Sequence, residues 1–283
     1  FWTKTNLDNI TDYVDEIAGV KISTYQTEEV DIQDQPVVIE DAERSWYDVV
    51  KSLRNSALVY TIGYSGVRGS EIFRQPDDPR RDGLLWSDVN FEYQGMDVYR
   101  KRQAWDVAPL PDPAFETIKQ YQKWLNDPPQ NWPVFPTLHR PTITTAVKEN
   151  LSDRGWDELE IDKARNKYIN DFSLALSEGI PIPSITTHGS RRLLKRLTKE
   201  ANIEVNAGDY LLPHGARRGI GEMMIRAYDF TTAARYLDNS KEITREHYSH
   251  IEAELLAEKA SQAIEAEQVR NNRTDNENTQ LQE

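Results

Sequence analysis

Residues 245–251 read REHYSHI, a tyrosine with His247 directly before it and His250 two places after. Tyr248 in this setting admits three roles: a packed ring with a hydrogen-bonded hydroxyl, a neighbour of a metal site, or a nucleophile. A metal site would need His247 and His250, at i and i+3, to recruit Glu246 or Glu252, and neither an HExxH spacing nor a thiol supports one. A nucleophilic phenol needs help. With a pKa near 10 it is only about 0.1% ionised at pH 7, so its site must offset roughly 4 kcal/mol or take the proton during attack.

Residues suited to give that help stand far away in the chain. PHGARR places His214 and Arg217 at i and i+3 of a helix that Pro213 is suited to open, on one face near its N-terminus. An imidazole and a guanidinium there suit an anion, although a His and an Arg on a solvated first turn are common. YSGVRGSEI puts Arg68 in a glycine-broken turn, with Glu71 three residues on. That arginine either pairs with Glu71 or serves as a bidentate phosphate contact, the glycines letting backbone approach a ligand. YRKRQ sets Lys101 on a turn between Arg100 and Arg102, where a solvated basic turn is the ordinary alternative. Along SRRLLKRLTKE, Arg191, Arg192, Lys195, Arg196 and Lys199 recur at near-helical spacing, as a phosphate-contacting face or a solvated one. QPDDPRRD at 75–82 reads as a solvated loop rather than a calcium site. GYSGV is not G-x-S-x-G, and no P-loop or dinucleotide-type glycine loop occurs.

The elements that must carry these residues are mostly helical. Residues 1–23 hold one amphipathic stretch, NITDYVDEIAGV, and TYQTEEVDIQDQP after it has linker composition, so the compact domain is expected to begin near Pro36. Residues 39–66 show helical spacing that breaks at Gly63 and Gly66. Strands are expected at 84–93, 96–100 and 103–108. Then come a helix at 113–126, a proline-rich crossing, a polar helix near 157–178, the basic helix, PHGARRGIGEMMIRA, TTAARYL and a final helix EAELLAEKASQAIEAEQV. NNRTDNENTQLQE is polar enough to be expected disordered. The fold class predicted is mostly α with a small three-stranded antiparallel sheet.

Taken in order and spacing, four features together resemble the tyrosine recombinase (phage integrase) family. They are GVRGSE, a hairpin lysine eight residues before the proline of VAPL, His-x-x-Arg in PHGARR, and a tyrosine nine residues after the position in YLDNS that matches a leucine-glycine-histidine box. The resemblance covers about residues 36–265, and PHGARRG and YSHIEA look like the integrases of halophilic archaea, their plasmids and viruses. It implies the family's DNA breaking-rejoining catalytic fold, with residues 1–35 ending a core-binding domain and its linker, 36–252 catalytic, and 253–283 a C-terminal helix and tail. It also implies that Tyr248 attacks a DNA phosphodiester to give a 3′-phosphotyrosyl link and a free 5′-hydroxyl, with no metal and no nucleotide cofactor. Arg68 and Arg217 would hold the non-bridging oxygens as charge grows. His214 would bond the same phosphate or accept the phenolic proton, and Lys101 would protonate the departing oxygen. Asn239 stands where the family usually has His or Trp; it can donate a neutral hydrogen bond but moves no proton, and His247 is an alternative for that place. Arg218 replaces a frequent histidine.

Further DNA contacts are expected at Arg100, Arg102, Arg191, Arg192, Lys195 and Arg218. Double-stranded DNA is the implied partner, bound as a homotetramer, with a monomer when free. The amphipathic stretch after Tyr248 would pack on a neighbouring copy or on its own domain. A type IB topoisomerase-like or telomere-resolving enzyme and a non-catalytic DNA-binding regulator are the alternatives. Residues 139–180 are extra material without an assigned role, and site specificity is expected to lie upstream, since the Phe1 start suggests a fragment.

Composition bounds the setting. The 283 residues carry 47 acidic against 34 basic side chains, a net charge of -13. Such a surface repels DNA at low salt, but at about 1 M salt the Debye length is roughly 3 Å and charge serves hydration instead. The excess of Arg over Lys, 21 to 13, fits that halophilic reading. Zero cysteines remove disulfides, thiolate zinc and a cysteine nucleophile, which fits the cytoplasm of an archaeal or virus-infected cell. No apolar run is long enough to suggest a membrane span.

Overall fold

A computed structural model describes residues 2–31, 38–205 and 210–280, with the side chains of 27–31, 38–43 and 269–280 left out. The chain divides into two compact units, Phe1–Ile220 and Gly221–Glu283. The boundary expected near Pro36 lies outside the described residues.

In the first unit, helix α1 (Lys4–Asp31) takes in most of the stretch that had linker composition. It packs along α2 (Val38–Ser65) because Leu7, Ile10, Val14 and Ala18 recur at helical spacing and are all buried. Gly63 makes room for this contact, since a Cβ there would stand 2.6 Å from Leu7 Cδ1. Ser56 and Tyr60 of α2 donate hydrogen bonds to the Asp15 carboxylate at 3.0 and 2.6 Å. Trp2 donates its backbone N–H to Gly215 O at 3.0 Å and its indole N–H to Leu212 O at 2.9 Å. The N-terminal segment is thereby built into this unit.

The short helix α3 (Gly69–Ile72) leads to a 3-10 turn, Trp86–Asp88, and a sheet of β1 (Val89–Asn90), β2 (Gly95–Tyr99) and β3 (Trp105–Pro109) in that order, all antiparallel. Met96 faces Ala108 across the β2–β3 pair and Tyr99 faces Trp105, with Met96, Val98 and Ala108 buried. The first expected strand shrinks to two residues for local reasons. Asp88 accepts from the Leu85 N–H at 2.9 Å, and Asn90 Oδ1 accepts from the N–H groups of Glu92 and Tyr93. Both are side chains competing with the ladder for backbone groups.

Helix α4 (Asp112–Leu125) ends at Asn126, φ 57°. The proline-rich crossing then runs through the interior, with Trp132 buried and donating to Ile180 O at 2.6 Å. Buried Arg54 holds the crossing to α2 by donating twice to Pro136 O, at 3.2 and 2.9 Å. Helix α5 (Arg140–Asp153) was not expected; Ile143, Val147 and Leu151 at i+4 spacing bury its face. The helix expected near 157–178 is two, α6 (Glu158–Arg165) and α7 (Asp171–Ser177), because Asn170 Oδ1 caps the Ser173 N–H at 3.0 Å and opens a second start. Helix α8 (Thr187–Glu200) is capped by Thr186 and buries Leu193, Leu194 and Leu197.

Helix α9 (Pro213–Ala227) begins in the first unit and ends in the second. The second unit continues with α10 (Phe230–Tyr236), α11 (Lys241–His247) and α12 (Ser249–Gln280), the first two capped by Asp229 and Ser240. Helix α12 extends through residues 271–280, where composition predicts disorder. The architecture is mostly helical with one small three-stranded antiparallel sheet among the described residues, as the sequence predicts. None of the described helices is long and apolar enough to cross a membrane.

The hydroxyl of Tyr121 is fully buried without a hydrogen-bond partner among the described residues, and burial pushes its pKa up. A group raised in the fold contributes stability that is whole below its unfolded pKa of about 10 and is lost as pH climbs beyond it. Tyr121→Phe is expected to leave stability at pH 7 within about 1 kcal/mol, since it removes an unsatisfied polar group, and to move alkaline unfolding to higher pH. Denaturant melts across pH check this; a loss above about 2 kcal/mol would mean the hydroxyl is bonded.

Candidate active site

Helix α2 stops at Ser65, and Gly66 turns the chain at φ 68°, a region glycine adopts freely. Arg68 follows as the N-cap of α3. Its backbone N–H donates to Glu71 Oε2 at 2.8 Å and its Nη1 to Glu71 Oε1 at 3.0 Å. The Glu71 side chain is fully buried and accepts a further bond from Arg100 Nη1 at 3.1 Å. One interior carboxylate therefore holds two guanidiniums. Arg100, expected to touch DNA, has a side chain only 3% exposed and braces Glu71 from inside. The pairing of Arg68 with Glu71, one of two readings of the sequence, is present while the Arg68 side chain stays 26% exposed.

The loop at 75–82, expected to be solvated, supplies a second brace. Arg81 donates to the carbonyls of Ser70 and Tyr99, each at 2.9 Å, and of Arg100 at 3.0 Å. It thus fastens the α3 turn to the end of β2. Asp78, at 3.4 Å from Arg81 and 2.9 Å from Arg80, has its pKa lowered chiefly by the hydrogen bond from Arg80. Nothing in the motif pattern marks Arg81; only a guanidinium's ability to serve several carbonyls at once explains it.

Helix α9 reaches the same turn. Buried Arg217 donates through Nη1 to Gly66 O. A Cβ on Gly69 would stand 3.6 Å from Pro213 Cβ, so the start of α9 lies against the start of α3. His214 is exposed on the first turn of α9, as is Arg218 beyond it. Lys101 is exposed on the β2–β3 turn, which Arg100 and Ala104 close with a 2.9 Å backbone bond. Arg102 pairs with Asp106 at 2.8 Å. Three chain-remote segments, 66–71, 99–102 and 213–217, therefore converge, carrying Arg68, Lys101, His214 and Arg217. On α8, Arg191, Arg192 and Lys195 are exposed opposite the buried leucines, with Lys195 6.0 Å from the Tyr210 ring centre.

In the second unit, Tyr248 occupies the break between α11 and α12, with φ -123° and ψ 27°. Its N–H donates to Thr244 O at 3.1 Å, its carbonyl accepts from Ile251 N at 3.0 Å, and the residue is 5% exposed. Asn239 is half-buried; its N–H closes the α10 end by donating to Ala234 O at 2.9 Å, after Asp238 at φ 47°. His247 and His250 are exposed on either side of Tyr248. Among the described residues no group of three or more His, Asp or Glu side chains is placed to hold a metal ion.

No family model and no curated protein matches the chain. Among solved structures it is similar to a XerA recombinase, at 14% identity and TM-score 0.46, covering 90% of this chain and 98% of that one. It is also similar to a XerH site-specific recombinase bound to a palindromic difH substrate in a post-cleavage complex, at 10% identity and TM-score 0.47, over 87% of this chain and 48% of that one. A pre-cleavage complex of XerH with difH gives 12% identity and TM-score 0.43, over 90% and 52%. The chain spans about half the length of the two XerH chains. At these identities and TM-scores the likenesses assign no activity or partner to this chain.

Glu71→Ala removes the buried carboxylate 3.1 Å from Arg100 and leaves it with the more exposed Asp106 at 3.7 Å. Breaking a buried pair in this way costs about 3–5 kcal/mol, so a corresponding fall in unfolding free energy is expected in denaturant melts. A loss below about 1 kcal/mol, the level of a surface pair, would contradict the bracing role.

Proposed function

We propose that this chain is a site-specific DNA recombinase that cuts and rejoins double-stranded DNA through a covalent bond between Tyr248 and a 3′-phosphate. The observation that supports the reading is that the three distant segments bearing Arg68, Lys101, His214 and Arg217 meet at one braced turn. Such a group suits a phosphodiester, whose oxygens gain charge in the transition state, and fixed donors stabilise that charge without reorganising. Arg68 and Arg217 bind the non-bridging oxygens. His214 bonds the same phosphate and is suited to take the phenolic proton as Tyr248 Oη attacks phosphorus. The bond to the 5′-oxygen breaks, and Lys101 supplies the proton that makes it a hydroxyl. Attack of a 5′-hydroxyl on the phosphotyrosyl bond reverses each step, so the diester is conserved with no energy source.

Asn239 adds a neutral hydrogen bond to the phosphate, and exposed Arg102, Arg191, Arg192, Lys195 and Arg218 meet the DNA backbone away from the cleaved bond. The working assembly is a homotetramer on DNA. A nicked substrate that loses its 5′-hydroxyl fragment traps the covalent state. Tyr248→Phe is expected to abolish capture. Arg217→Ala is expected to slow it by about 10²–10³, the usual loss for one oxyanion donor, with Asn239→Ala slowing it less. Capture by Tyr248→Phe at the wild-type rate would sink the reading, and equal losses from Tyr248→Phe and Asn239→Ala would show their roles misassigned.

A further inference from the structure

Within the second unit, the backbone of α9 at Gly221 lies under the Tyr248 hydroxyl. A Cβ built on Gly221 would stand 2.2 Å from Tyr248 Oη, 2.8 Å from its Cζ and 2.8 Å from Leu237 Cδ1. These separations are shorter than real Cβ contacts, which essentially never fall below 3.0 Å. Nothing in the backbone asks for glycine here: Gly221 is inside α9 and is not among the residues with positive φ. In a helix interior glycine costs about 1 kcal/mol relative to alanine. What the position needs is space, and the space is filled by the phenol.

The backbone that carries the ring is fixed on both sides. Tyr248 sits at the α11–α12 break, where its N–H is tied to Thr244 O at 3.1 Å and its carbonyl accepts from Ile251 N and Glu252 N at 3.0 and 3.3 Å. Leu237 Cδ1 takes up the same space beside Gly221, 2.8 Å from the built Cβ. A methyl group at Gly221 must therefore displace the hydroxyl itself. The neighbouring Gly219 shows that the two glycines of GIG have separate tasks: a Cβ there would stand 2.2 Å from Trp2 O, in the first unit.

We propose that Gly221 is a positioning residue whose missing Cβ seats the attacking oxygen of Tyr248. The proposal deepens the recombinase reading and rests on Tyr248 being its nucleophile. A misplacement of about 1 Å can cost on the order of 100-fold in rate. Single-turnover capture on the nicked substrate by Gly221→Ala is therefore expected to fall by about that factor, with DNA affinity unchanged.

A merely structural role is separated by a double-mutant cycle on the full chain. Tyr248→Phe removes the oxygen that the added methyl meets first, so Gly221→Ala is expected to lower the unfolding midpoint less in that background than in wild type. If Gly221→Ala fails to fold alone but folds together with Tyr248→Phe, the seat is supported; failure in both backgrounds overturns it. Wild-type capture rates in Gly221→Ala, or equal stability losses in both backgrounds, also overturn it. Absence of any adduct from the wild-type chain, with the stability coupling intact, overturns the nucleophile reading and the positioning role together, leaving Gly221 and Tyr248 as packing.

Discussion

A single carboxylate with no solvent contact, that of Glu71, holds Arg68 on one side and Arg100 on the other, and it ties the Arg68 turn to the end of β2. Two guanidiniums drawn to one carboxylate repel, and the buried one, Arg100, would be costly without a partner. Glu71 meets both problems and uses the Arg68 backbone N–H as well. The turn, the N-terminus of α3 and the end of β2 are thereby fixed relative to one another before any ligand arrives. Arg81 repeats the strategy with neutral partners, three backbone carbonyls from the same two segments. In a chain of net charge -13, this interior bracing concentrates positive charge locally.

The consequence for chemistry is preorganisation. A phosphodiester is already anionic, and its oxygens gain charge as a nucleophile adds; donors held in place by packing need no rearrangement at that moment. Arg217 is held by Gly66 O, and the start of α9, with His214, lies against α3. Lys101 differs in kind, standing exposed on a turn beside the braced Arg100.

Much of this was legible in the sequence. Helical spacing gave α2, α4, α8 and α9, and glycine breaks marked the Arg68 turn. Tyr121 and Trp132 show why the rest was not: their burial depends on contacts across the chain, such as Trp132 with Ile180, that no local period reveals. Helix α5 was missed because its polar face outweighs three apolar residues, and the first strand was overlong because Asp88 and Asn90 take backbone partners from the ladder. Arg100 and Arg102 look alike as letters in YRKRQ, yet one is interior and the other exposed. Both lie beyond the end of β2 at Tyr99, where no strand period assigns a face, and it is the partner, here Glu71, that draws Arg100 inside. Gly221 reads as one more helix-weakening glycine until Tyr248 is seen above it.

The proposed function rests above all on attack at a DNA phosphorus by the phenol of Tyr248. Mass spectrometry of peptides from a trapped protein–DNA adduct tests it most directly, because fragmentation names the modified side chain and the nucleotide end attached to it. The account predicts a single modified residue, Tyr248, joined through a 3′-phosphate. A linkage through a 5′-phosphate, or through any other side chain, would contradict it.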